Sequence, residues 1–164
     1  MAIATAIFLV IVSRGFTFVA DQPPQSRFYE NQAQSLLHGR INVPFAAAGE
    51  ESIRIDGKHY GYVGPTPAIL RLPVMLFVSA DDPLDEPFLA PAYMTMAFLL
   101  AGFAIAGIAE QVGIRGWVAG AFTFVALMGS ALMTLSLRAL VYEEATIWGA
   151  SFALVTTWAA LRLI

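Results

Sequence analysis

Apolar runs of membrane-crossing length constrain this chain before anything else does. A bilayer hydrocarbon core is about 30 Å thick and takes about 20 helical residues to cross. Four segments suit that length: 1–20, 90–109, 116–137 and 145–164. Of the 164 residues, 58% are hydrophobic and 13% are charged, against about 25% charged in ordinary soluble domains. A soluble core of this size has no room for several separate runs of that length. The expected class is therefore all-α: a polytopic membrane protein with about four transmembrane helices. Small residues recur through the later runs, among them Gly102, Gly107, Ala119, Gly120, Gly129 and Gly149. They allow helices to approach closely where lipid supplies no hydrophobic drive.

Charge locates the polar part. Nine of the twelve acids and five of the nine Lys and Arg residues fall between residues 21 and 90, which makes 21–89 a large first loop. With no cysteine there is neither a disulfide framework nor a thiolate metal site. The net charge is -3 and the bases are scattered singly, so no basic stripe follows a phosphate backbone and nucleic acid is excluded as a partner. A cleavable signal peptide fits poorly, because no base precedes the first apolar run and Phe18 would stand at -3 of a cut after Ala20. Arg115, in the short turn after the second run, and Arg162 favour the inside. The large loop and the turn carrying Glu143 and Glu144 then share the outer face, with membrane lipid around the helices.

Within the loop, residues 26–38 place Tyr29, Ala33, Leu36 and Leu37 at helical spacing, followed by Gly39. The spacing suits a helix lying on the membrane surface and equally one packed on the rest of the loop. Residues 66–79 are apolar around Arg71 and Pro73 and short for a crossing, which suits an interfacial or re-entrant helix; counted as a full crossing, the segment would reverse the side of the later turns. Asp21 stands just past the first run, and Glu143 and Glu144 stand at the start of the last. Carboxylates at a membrane rim near cations can serve as a general base or as metal and phosphate-site partners. Acids at helix ends are also commonly plain solvated caps.

The order of Asp21, Tyr29, Ala33, Leu36, Leu37, Gly39, Val43, Pro44, Asp56 to Lys58, Tyr60, Tyr62, Gly64, Pro65 and Pro67, ending in "LRLP", resembles the first outer loop of GT-C glycosyltransferases. These are polytopic enzymes, such as protein O-mannosyltransferases and aminoarabinose transferases, that use polyprenyl-phosphate sugars. The resemblance implies a bacterial cytoplasmic membrane with the large loop outside, the loop's juxtamembrane helices roofing a lipid-carrier site. It implies Asp21 as catalytic base, with a second acid at Glu143 or Glu144. It puts the donor's sugar and phosphate near Arg27, Lys58, His59, Tyr60, Tyr62 and Arg71, and leaves the metal open, a divalent ion being the cofactor such acids would suit. Two steps differ from the family pattern: Asp21 is followed by Gln22, and Gly64-Pro65 stands where a lysine often precedes paired prolines. The resemblance further implies that the chain is the N-terminal portion of a longer protein. The competing reading is a non-catalytic scaffold or assembly subunit whose outer loop binds a partner. A small transporter is weaker, since Arg14 and Arg71 could both snorkel to the interface.

Overall fold

The computed structural model describes residues 1–15, 27–50, 52–77, 89–135 and 140–164. Most of them are helical: α1 Ala2–Val12, α2 Phe28–Leu37, α3 Phe45–Ala48, α4 Thr66–Met75, α5 Leu89–Gln111, α6 Gly116–Met128, α7 Ala131–Leu135 and α8 Val141–Leu161. A hairpin of β1 Ile53–Ile55 and β2 Lys58–Tyr60 interrupts them, which an all-α expectation omits. Its signal is Asp56-Gly57 between alternating residues. Both central positions have positive φ, 49° and 75°, the two-residue turn that Asp-Gly favours because its twist matches that of the strands. The register pairs Ile53 with Tyr60, Arg54 with His59 and Ile55 with Lys58.

α1, α5, α6 and α8 form a bundle. The Phe8 and Phe98 rings stack with centroids 4.1 Å apart, while Met1 at the other end of α1 lies beside Gly102, so α1 runs antiparallel to α5. α6 returns along α5 after a tight turn, bringing Leu127 to Gly102. α8 runs parallel to α5: the Ser151 hydroxyl donates to the Ala97 carbonyl at 2.7 Å, and further along Trp158 covers Gly107. Phe8, Met94, Phe98, Leu127, Ile147 and Trp148 fill the core between them.

The lengths depart from four full crossings. Among the described residues only α5 is both long and apolar enough to cross a membrane. α1 ends after 11 residues, where Arg14 and Gly15 take positive φ and the Gly15 amide closes on the Val10 carbonyl at 2.7 Å. The segment expected as one helix over 116–137 breaks after Met128, where the Ser130 hydroxyl bonds the Leu127 carbonyl at 2.8 Å; a Gly-Ser step of this kind is a common cause of a helix break. α8 has 21 residues, but Glu143, Glu144 and three threonines dilute its apolar character.

Residues 28–77 form a second unit over the end of the bundle where α5 and α8 begin. Phe28, Tyr29, Ala33, Val43, Ala47, Ala68 and Met75 make its core, joined by Val141 of α8. α2 packs against α4 and buries Phe28, Tyr29, Glu30, Gln32, Ala33 and Ser35. Of its apolar positions, Leu36 lies against this core and Leu37 is partly exposed. Gly39 follows it at φ 66° and the Arg40 amide reaches back to the Ser35 carbonyl, a left-handed stop that glycine adopts without steric cost.

Two glycines of the bundle differ in what surrounds them. A methyl group on Gly107 would sit 2.3 Å from the Trp158 ring, whereas nothing lies within 4 Å of one on Gly120. Gly107→Ala should therefore lower thermal stability by about 1–3 kcal/mol through overpacking. Gly120→Ala should be neutral or slightly stabilising. Thermal unfolding of the two variants side by side makes the comparison.

Candidate functional site

The largest fully buried side chain is Arg71, 0% exposed. α4 carries it inward because Ala68, Arg71 and Met75 share one helical face. Its guanidinium meets Glu144 of α8 through two bonds, Nη1 to Oε1 at 2.6 Å and Nη2 to Oε2 at 2.8 Å. Nε donates to Glu30 Oε1 of α2 at 2.9 Å, and Nη1 also donates to the Pro67 carbonyl at 3.1 Å. The Tyr93 and Tyr29 rings enclose it, with centroids 4.5 and 5.4 Å from Cζ, in the range of cation–π attraction. Glu30 and Glu144 are 4% and 2% exposed, so three ionisable groups from three helices share a buried site.

Burial opposes the Arg71 charge, but Glu144 and Glu30 outweigh it and hold the group above its ordinary value. Burial pushes the Tyr29 phenol up, Glu144 adds to the rise and Arg71 opposes it. Tyr29 therefore stays protonated at neutral pH and donates to the Val141 carbonyl at 3.3 Å. Two carboxylates face one guanidinium, and Glu30 Oε2 has no hydrogen-bond partner among the described residues. Breaking a buried pair from one side strands the partner's charge.

This arrangement reassigns two of the predicted site residues. Arg71 is enclosed by protein and is not placed to meet a lipid phosphate. Both oxygens of Glu144 are taken by Arg71. Glu143 is half-buried, its Oε2 without a partner among the described residues. Asp21 lies outside the described residues. Arg27 caps the start of α2, half-buried, and Lys58 is exposed at the hairpin. Among the described residues no group of three His, Asp or Glu side chains could hold a metal.

The remaining predicted residues border a second feature, a cavity of 720 Å³ between α3, the hairpin end and the start of α8. Phe28, Phe45, Tyr62, Val141 and Tyr142 line it, with Ser52 and Glu50. The Tyr62 and Tyr142 hydroxyls bond each other across 80 positions of sequence. His59 stands behind the wall: its ring lies 4.9 Å from that of Phe45, and Nδ1 is 2.8 Å from the Ser52 hydroxyl. Ser52 gives its one proton to the Gly49 carbonyl at 2.7 Å, so the imidazole donates from Nδ1. Tyr60 is half-buried opposite Ile53. A methyl on Gly61 would strike the Phe28 ring at 2.1 Å, so glycine is required for this wall to close.

Sequence reasoning missed Glu30, Tyr93, Glu50, Ser52 and Tyr142. The usable signal was Arg71 itself: a cation in an apolar run that packs inside protein demands acids. Arg71→Met should cost about 3–5 kcal/mol by leaving Glu30 and Glu144 buried without their cation. The triple replacement with Glu30→Gln and Glu144→Gln should regain a large part of that loss. Equilibrium unfolding of the single and triple variants measures both.

Comparison with family models, curated proteins and solved structures finds no significant match for this chain.

Proposed function

We propose that the chain is the N-terminal membrane portion of a GT-C-like glycosyltransferase that moves a sugar from a polyprenyl-phosphate carrier to an acceptor outside the cytoplasmic membrane. The observation that carries this reading is the Arg71–Glu144 pair. It binds the polar 28–77 unit to the first turn of α8, so the two acid-bearing segments expected on the outer face meet at one end of the bundle. A roof held there is what a lipid-linked donor, presented at the membrane plane, would require. The membrane setting is supported by the bundle's outer surface, where Ile3, Met96, Phe103, Phe122, Val125 and Phe152 are exposed and Trp117 is 83% exposed. Apolar residues in that number on an outward face mark contact with lipid or another protein.

Asp21 is the proposed base. It precedes the roof in sequence, and Glu144 is committed to Arg71. With Arg71 enclosed, the donor phosphate is assigned to Arg27 and Lys58. A second reading, a scaffold subunit, is favoured by one specific observation: Arg71 and Glu144, two of the expected site residues, serve packing.

In the full-length protein, Asp21→Asn should abolish sugar transfer with folding intact, since general-base assistance commonly contributes about 10²–10⁴-fold. Glu144→Gln should instead lower the yield of folded protein. Transfer within a few-fold of wild type in Asp21→Asn would move the assignment to the scaffold. For topology, Lys58→Cys should react with an impermeant thiol reagent added outside intact cells. Arg115→Cys, in the turn at the opposite end of the bundle, should react only after permeabilisation. Equal labelling of both from outside would discard the membrane arrangement.

A further inference from the structure

The cavity beside the roof has its own chemistry, and it does not suit a phosphate. Four aromatic rings stand in its wall, those of Phe28, Phe45, Tyr62 and Tyr142. The charged group among its described lining residues is the carboxylate of Glu50. His59 stays behind Ser52 and spends its Nδ1 proton on that hydroxyl. An anion entering here would meet a like charge and an otherwise apolar, aromatic wall. A cation would meet attraction from both, because aromatic faces and a carboxylate act in the same direction on an ammonium group. The volume of 720 Å³ exceeds what a small ammonium ion needs and falls in the range of about 300–1,000 Å³ that houses organic ligands. Ala46, Ala47 and Val63 supply wall for an apolar body.

We infer that this cavity is a binding site for an organic cation: an ammonium group held by Glu50 and the aromatic rings, carried on an apolar body. The site does not rest on the sugar-transfer reading: its chemistry follows from Glu50 and the four rings. Its order depends on the protein's own contacts. The hydroxyl bond between Tyr62 and Tyr142 ties the hairpin end to α8. The Ser52 hydroxyl, held between Gly49 and His59, fixes the segment that carries Glu50. The ammonium source is either a free amine or a lipid headgroup, and both present the same group to Glu50.

Calorimetric titration of the purified chain in a neutral maltoside detergent tests the inference, with choline and hexyltrimethylammonium as probes. The uncharged isostere of choline, 3,3-dimethylbutan-1-ol, and inorganic phosphate are the controls. Choline should bind about tenfold or more tightly than its isostere, and hexyltrimethylammonium more tightly than choline. Phosphate should not bind. Glu50→Gln, at an exposed position, should weaken choline severalfold toward the level of the isostere, and Tyr142→Leu should weaken both ammonium probes. Circular dichroism and the melting temperature check that the variants are folded. Equal affinity for choline and its isostere would overturn the proposal, as would unchanged choline binding in folded Glu50→Gln or competition by phosphate. Repeating the titration in bilayer discs identifies the source. Weaker probe binding in phosphatidylcholine than in phosphatidylglycerol assigns the site to a lipid headgroup, and equal binding assigns it to a free amine.

Discussion

A guanidinium with no access to water organises this protein. Arg71 cannot be buried alone, since isolating a charge in a medium of low polarity costs far more than any single contact returns. It must therefore hold α2 through Glu30 and α8 through Glu144 at the same time. Arginine suits this position where lysine would not. Its planar fork delivers two parallel bonds to Glu144 and a third to Glu30, and its faces lie against Tyr93 and Tyr29. The pairings span 41 and 73 positions of sequence. One side chain thereby sets the relation between the polar unit and the helical bundle.

The two hydrophobic cores meet around that clamp. The bundle core is built from Phe8, Met94, Phe98 and Leu127, the upper core from Phe28, Tyr29, Val43 and Met75. Tyr93 reaches from α5 to the Leu70 carbonyl of α4 at 3.3 Å, and Val141 at the head of α8 belongs to the upper core. Apolar burial of this kind fixes little orientation, because it is non-directional. Direction comes from the ion pairs and from the few side-chain bonds to backbone, such as Tyr29 to Val141. The cavity follows from the same layout. It opens where a three-residue-stranded hairpin and a single turn of helix, neither stable by itself, lean on α8 through Tyr62 and Tyr142.

Particular residues show why some of this was legible in advance. The apolar runs located the bundle because their composition is independent of what packs on them. Gly39 announced the end of α2, and Asp56-Gly57 carried a hairpin signal, since both rest on local backbone sterics. The strands themselves were obscured: three residues are too few to establish an alternation. The break at Gly129–Ser130 lies inside a stretch whose hydropathy hardly changes, and a lone Arg14 does not by itself end an apolar run, so length suggested longer helices than form. Of the candidate site, Tyr62 and His59 were found as polar residues in the loop, but their partners Tyr142 and Ser52 were not. A hydroxyl 80 positions away leaves no periodic trace.

The sequence by itself determined that the chain is mainly helical and apolar and that its polar residues gather in one insert. Composition and local sterics are enough for both. Only the tertiary structure decided that Arg71 is enclosed by protein and which acids meet it. Glu143 and Glu144 are adjacent and chemically alike, and both look like helix caps in sequence. About 100° of helical rotation separates them, and the packing of α8 against α4 turns one toward Arg71. Glu144 is then consumed by the fold, while Glu143 keeps an oxygen with no partner among the described residues. Choosing between two identical side chains takes the orientation of the helix that bears them, and long-range packing alone supplies it.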